Sequence, residues 1–261
     1  MKVIILTTSI HGTTGHHLPI LYGSKDIEIA MVVVSEGSAP KKKNHYLRRI
    51  KKILAIGPLG ALNGIKMRKW YNEDVKKYCD TGDAREFCSK HGIPFTSVPY
   101  TNSVETQKIF KDTGADVGLS LGNGYISKKV FSIPRYGMLN IHHELLPLYQ
   151  NAQSIIWQLY NGSAETGYTV HKIDSKIDGG DIVWQEKIPI VMRDTLDDTV
   201  AYNYARLYDA SVQGLLRIFA DFKKYYSEAK PQGAGGHYTT PSYGQFLKIK
   251  RQFERLKKSM N

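Results

Sequence analysis

Apolar residues along this chain gather in short β-branched runs separated by helical periodicities. Residues 2–8 (KVIILTT) and 27–35 (IEIAMVVVS) are nearly continuous apolar runs, the pattern of parallel strands buried on both faces. Between them the sequence predicts a loop over Gly12, Thr13, Thr14 and Gly15 and a short helix over 16–22. His16 and His17 are expected to be exposed or close to a substrate. Residues 35–44 (SEGSAPKKKN) break the pattern with Gly, Ser, Pro and charge. Apolar positions 46, 47, 50, 53 and 54 then recur among four Lys/Arg over 45–57, which predicts a basic amphipathic helix. A second helical piece follows over 59–78.

The alternation resumes at residue 80. Asp83 opens a helix that Gly92 can end in a left-handed conformation. Residues 93–100 form a short strand, and Asn102 is a candidate N-cap with Glu105 three positions on. Strands follow over 116–122 and 136–142, then a helix over 153–160. Residues 166–174 and 181–190 are β-rich and joined through Asp178-Gly179-Gly180, a turn signal. Residues 195–226 read as one long helix, 231–244 as a loop and 245–258 as a basic helix. Strands alternating with helices imply crossover units. The expected class is therefore α/β, a Rossmann-like, mostly parallel twisted sheet flanked by helices, with a small helical C-terminal appendage. The expected division is a catalytic domain over 1–195, carrying a basic helical insertion at 36–80, and a C-terminal helical extension over 196–261.

Composition narrows the picture. At 41% hydrophobic residues in 261 the chain can build a core and is not a disordered polymer. Its formal charge of +12 is local. Residues 41–77 hold 12 Lys/Arg against Glu73 and Asp74, and 248–258 hold 6 against Glu254. The remainder is close to neutral, which argues against a dedicated nucleic-acid binder. Cys79 and Cys88 fit ordinary thiols in a reducing compartment. Residues 1–9 read as a first strand, not a secretion signal, and no apolar run approaches the ~20 residues that cross a bilayer. A cytoplasmic location is expected. The basic stretch 41–69 has three readings: a solvated helix face, attraction to an anionic membrane surface or lipid-linked sugar, or contact with phosphates.

Residues two apart on a strand share a face. Asn140 and His142 therefore point the same way at the carboxyl end of a strand, where open α/β sheets place their ligand crevice. An amide N–H, an imidazole and a nearby carboxylate together suit acyl transfer, as oxyanion donor, proton carrier and orienting group. Each residue also has a plain structural reading, in turn chemistry or as a hydrogen-bonded core group. A metal hydrolase using His142, His143, Glu144 and Asp178 is disfavoured, because adjacent histidines on a strand face opposite sides.

The blocks LNIHHELLPLYQNA, TGYTVHKIDSKIDGGDIV and KIPI resemble the signature of the 10-formyltetrahydrofolate-dependent formyltransferases. The resemblance is good over roughly 83–195 and weaker over the first strand-helix-strand. It implies a catalytic trio of Asn140, His142 and Asp178, with 10-formyltetrahydrofolate as co-substrate and no metal. It places the folate pocket on Gly124, Tyr125 and Ile126 and on the loop containing Ile173, Asp174 and Ile177, with His171 as a further site histidine. The implied mechanism is direct attack of an amine on the formyl carbon. In it Asn140 and protonated His142 stabilise the oxyanion, and Asp178 tunes His142. Two departures stand out: His143-Glu144 where the family usually has Pro-Ser, and Gln150-Asn151 where it usually has a basic residue and Gly.

The branches of the family differ in acceptor. The methionyl-tRNA enzymes carry a C-terminal barrel, whereas residues after 195 read here as helix, loop, helix. The amino-sugar N-formyltransferases are similar in size to this chain. The resemblance thus points to the amine of an amino sugar, nucleotide-linked and destined for surface polysaccharide such as lipopolysaccharide. A methionyl-tRNA formyltransferase-like enzyme acting on an RNA-linked amine is the alternative. Tyr149, Trp157 and Tyr238 are candidates to stack on a base or sugar. A homodimer is possible in this reading, and weak contact of 41–69 with an anionic membrane surface accompanies it.

Overall fold

The computed structural model describes residues 1–38 and 45–260. Seven strands form one sheet: β1 (Lys2–Thr7), β2 (Glu28–Ser35), β3 (Phe95–Val98), β4 (Val117–Leu121), β5 (Met138–His142), β6 (Glu165–Lys172) and β7 (Ile182–Pro189). Their order is β3-β2-β1-β4-β5-β6-β7. The first five are parallel, and β6 and β7 are antiparallel additions on the β5 side. The expected α/β class, with its mostly parallel sheet, is what the chain adopts. The chain runs outward from β1 to β3, then returns to lay β4 on the other side of β1. That reversal opens a crevice at the carboxyl ends of β1, β4 and β5.

Nine α-helices accompany the sheet among the described residues: α1 (Thr13–Tyr22), α2 (His45–Asn72), α3 (Ala84–His91), α4 (Val104–Thr113), α5 (Lys128–Phe131), α6 (Ile156–Tyr160), α7 (Leu196–Ala220), α8 (Phe222–Ser227) and α9 (Tyr243–Met260). Alternation along β1 sends Val3 and Ile5 into one core and Ile4 and Leu6 into another. The first core lies beneath α1, α7 and α9, and the second beneath α4 and α5. The segment 196–261, expected as an extension, supplies α7. Its Val200, Leu207, Val212 and Leu215 are buried in the same core as β5 and β6. No described helix is long and apolar enough to cross a membrane.

Several local expectations shift. Helix α1 begins at Thr13, inside the expected loop, because the Thr14 hydroxyl is bound 2.7 Å from that of Thr7 at the end of β1. The N-cap of α4 is Ser103, whose Oγ accepts the Thr106 N–H at 3.1 Å, and not Asn102. Asn102 instead donates to the Tyr125 carbonyl at 2.9 Å and accepts from the Ser127 N–H at 2.7 Å. It thus fixes the loop after β4. Helix α6 starts only at Ile156, since Ile155 has a φ of 71°. The long pattern over 195–226 is two helices, parted at Asp221 with φ −140°. Asp83 and Gly92 cap α3 as expected, Asp83 accepting from Arg85 and Glu86 N–H groups and Gly92 at φ 65°. The basic helical piece over 45–57 and most of the piece expected over 59–78 merge into α2 with a kink at Gly57, and the rest of the second piece is a 3-10 turn, Asp74–Lys77. The Gly57 φ of 74° and ψ of 164° are open to glycine, and Pro58 follows. The expectations for residues 39–44 lie outside the described residues.

Candidate functional site

On β5, Met138 packs into the core beneath α4 and α5, so Asn140 and His142 continue the same face past that cover. His143 turns to the other face, toward α7. Antiparallel pairing sets His171 of β6 directly opposite Asn140. His171 Nδ1–H donates to the Lys172 carbonyl at 2.9 Å, which leaves Nε2 to accept the Asn140 amide at 3.1 Å. Burial lowers the His171 pKa below its ordinary value, in keeping with this neutral, accepting ring. Asn140 keeps a second amide hydrogen for the cavity.

The β6–β7 connection brings Asp178 back to this pair. Its carboxylate lies 3.9 Å from Nε2 of both His142 and His171, an ion-pair separation and not a hydrogen bond. Asp178 sits at φ 50°, a conformation that aspartate tolerates better than most residues. It is held there by the chain after β5. Asn151 N–H donates to its carboxylate at 3.0 Å, and the Gln150 amide reaches its carbonyl at 3.5 Å. The Gln150-Asn151 pair, one of the two departures from the family pattern, thus positions the carboxylate. His142 Nε2–H donates to the Tyr149 carbonyl at 2.9 Å, so Nδ1 is the nitrogen left to face a reacting proton.

These groups line a cavity of about 600 Å³. Gly124, Tyr125 and Ile126 from the loop after β4 line it, as do Ile173, Asp174 and Ile177 from the β6–β7 connection, together with His171. The ten residues that the family resemblance assigned to catalysis or to the folate therefore line one cavity. Asn123 Oδ1 and Gln153 Oε1 are buried in this lining without a hydrogen-bond partner in the protein. Two orphaned acceptors in a polar crevice fit a ligand rich in N–H groups, such as a pterin.

The remaining wall could not be read from the sequence. Thr13, Arg68, Tyr71, Tyr204, Thr239 and Thr240 come from α1, α2, α7 and the loop before α9. No local pattern marks them, because tertiary packing alone brings these elements together. Tyr149, Trp157 and Tyr238, the stacking candidates, stack on one another instead, with ring centroids 5.5 and 4.7 Å apart. They fasten the 231–242 loop, where Trp157 Nε1–H donates to the Thr239 carbonyl at 3.1 Å.

Behind His142 lies a buried polar row. His143 Nε2 is 3.2 Å and His17 Nε2 3.0 Å from Ser211 Oγ. His17 and His16 Nδ1 atoms are 3.3 Å apart, and His16 Nε2 is 3.0 Å from Asp209. His16 and His17 are therefore buried on α1, not exposed on a loop. Burial, then the charges of His142 and His16, pulls the His143 pKa down to about 3. Burial likewise lowers His17 well below the ordinary histidine value. Glu144 is fully buried with the Gln158 amide as donor, and burial raises its carboxyl well above the usual range. The His143-Glu144 pair is thus part of the support beneath the site.

A family profile described as formyl transferase matches residues 74–218, more than half of the chain. The chain belongs to the formyl transferase family. Among curated formyl transferases it is 34% identical over 142 residues to a methionyl-tRNA formyltransferase of Thermosynechococcus vestitus, covering 52% of this chain and 43% of that one. It spans less than half the length of the curated relatives it matches. Two solved formyl transferases share the fold. Phosphoribosylglycinamide formyltransferase of Anaplasma phagocytophilum superposes with a TM-score of 0.57 at 15% identity, over 91% of this chain and 99% of that one. The N-formyltransferase of Helicobacter canadensis, solved with folinic acid and dTDP-3-aminofucose, gives 0.55 at 15% identity, over 97% and 80%.

Proposed function

We propose that the protein transfers a formyl group from 10-formyltetrahydrofolate to the amine of an amino sugar carried on a nucleotide. The observation that carries this reading is the convergence of Asn140, His142 and Asp178 in one cavity of about 600 Å³. The co-substrate supplies an activated formyl group on its N10. The walls at 124–126 and 173–177, with the orphaned Asn123 acceptor, would hold it. Asn140 offers its free amide N–H to the carbonyl oxygen on which negative charge develops. His142 accepts at Nδ1 the proton that leaves the attacking amine and returns it to N10 as the bond between N10 and the formyl carbon breaks, and the Asp178 carboxylate beside Nε2 favours the charged ring in between. The nucleotide-linked acceptor is supported by the bound dTDP-3-aminofucose of the Helicobacter relative. A cytoplasmic setting, where nucleotide sugars are made, goes with this reading. An RNA-linked amine is the second reading, favoured by the methionyl-tRNA formyltransferases among the sequence relatives.

The deciding assay offers 10-formyltetrahydrofolate with a panel of nucleotide-linked amino sugars and with methionyl-tRNA. A formylated nucleotide sugar is the expected product. Formylated methionyl-tRNA alone would replace the acceptor, and release of free formate without any acceptor would make the protein a hydrolase.

The turn that presents Asp178 gives a separate test. A Cβ at Gly180 would lie 1.9 Å from the Lys172 carbonyl oxygen, so alanine there must displace the connection. Gly180→Ala is expected to lower turnover on the order of 10²-fold by misplacing Asp178, with the fold retained. Circular dichroism and single-turnover rates check both halves. Unchanged turnover would mean that the carboxylate position does not limit the reaction.

A further inference from the structure

Helix α2 exposes an apolar surface that the site does not use. In its second half Gly60, Gly64, Met67 and Trp70 face the protein, and Gly60 and Gly64 lie against the loop before α9. The opposite side presents Leu59 at 52%, Leu62 at 61% and Ile65 at 63% exposure, beside Lys66 and Lys69. Before the kink, Ile50, Ile53 and Leu54 are exposed as well. Six of the thirteen exposed large hydrophobic side chains among the described residues thus sit on one helix. Scattered single apolar residues on a surface need no explanation, but a concentration of this kind marks a contact.

The charge on α2 decides between occupants. The helix contains seven Lys/Arg and no Asp or Glu. It packs beside α9, which carries the second basic segment of the chain and adds exposed Tyr243 and Leu247. A second copy of the chain meeting this face across a two-fold axis would bring like charges together. A nucleic acid would satisfy the charges and leave the aliphatic residues in water. An anionic bilayer satisfies both, taking the aliphatic side chains into the headgroup-acyl boundary and the Lys/Arg onto its phosphates.

We propose that α2 is a peripheral membrane-binding helix that docks the protein on anionic lipid. This assignment stands apart from the reaction proposed above. Arg68 and Tyr71 of the same helix line the cavity, away from the outward side that carries Leu59, Leu62 and Ile65, so docking and the site use different sides of α2.

The test is flotation of the full chain with vesicles of phosphatidylcholine alone or with one part in three of phosphatidylglycerol. Binding to the anionic vesicles is expected to exceed that to neutral ones by about tenfold or more, and to weaken as salt is raised. Leu59→Ser, Leu62→Ser and Ile65→Ser combined should abolish binding while leaving the melting temperature near wild type, because all three side chains face outward. The salt dependence of the unaltered chain serves as the second readout if the variant folds poorly. Equal binding to both vesicles overturns the proposal. So does absence of binding, whether the chain stays monomeric or sedimentation shows a dimer.

Discussion

Asn140→Ala is expected to reduce turnover about 10²–10³-fold, the cost of losing one donor aimed at a developing oxyanion. The residue has two amide hydrogens, one spent on His171 and one free for the cavity. The alanine variant removes both, so it also leaves the buried Nε2 of His171 without its donor. Loss of transition-state stabilisation lowers kcat while the KM for the folate stays near wild type. A variant that only disturbs the folate wall raises KM instead. Single-turnover rates with saturating co-substrate separate the two. A turnover close to wild type would remove Asn140 from the chemistry and leave it as a hydrogen-bonding partner of His171.

Acid should unfold the protein through the histidines behind the site. His143 is neutral in the fold until about pH 3, whereas an unfolded histidine takes up its proton near its ordinary value of about 6.5. Above pH 6.5 neither state is protonated and His143 contributes nothing to the pH dependence. As pH falls below 6.5 the unfolded state binds the proton and the folded state does not, so stability is lost progressively toward pH 3. Between pH 6.5 and 4 the loss from His143 is on the order of 3 kcal/mol, at about 1.4 kcal/mol per pH unit. His17, also lowered by burial, adds a loss of the same sign. His143→Gln keeps a group able to bond Ser211 and cannot be protonated. Denaturant unfolding across this range should show a shallower acid loss in the variant than in the native chain. Equal slopes would mean that His143 is hydrated and titrates normally.

Much of the fold was legible because it rests on local rules. The β-branched runs over 2–8 and 27–35 and the caps Asp83 and Gly92 fall where short-range chemistry puts them. The misread boundaries have tertiary causes. Ser103 displaced Asn102 as cap because Asn102 is held by the loop at 125–127. Helix α1 starts early because Thr14 finds Thr7 across the strand end. His16 and His17 were unreadable for the same reason, as their partners Asp209 and Ser211 lie nearly two hundred residues away.

The site divides along the same line. The strand period alone put Asn140 and His142 on one face, and the resemblance to the formyltransferase signature named Asp178 and the residues of both cavity walls. Distance along the chain carries no record of contact in space. The folded chain alone supplied the 3.9 Å approach of Asp178 to both imidazoles, the acceptor His171 facing Asn140, and the delivery of Arg68, Tyr71 and Tyr204 to the far wall. Period and turn chemistry act over a few residues and survive in the sequence. Which helix packs on which strand is set by the burial of whole apolar faces, and that sum is taken only when the chain is folded.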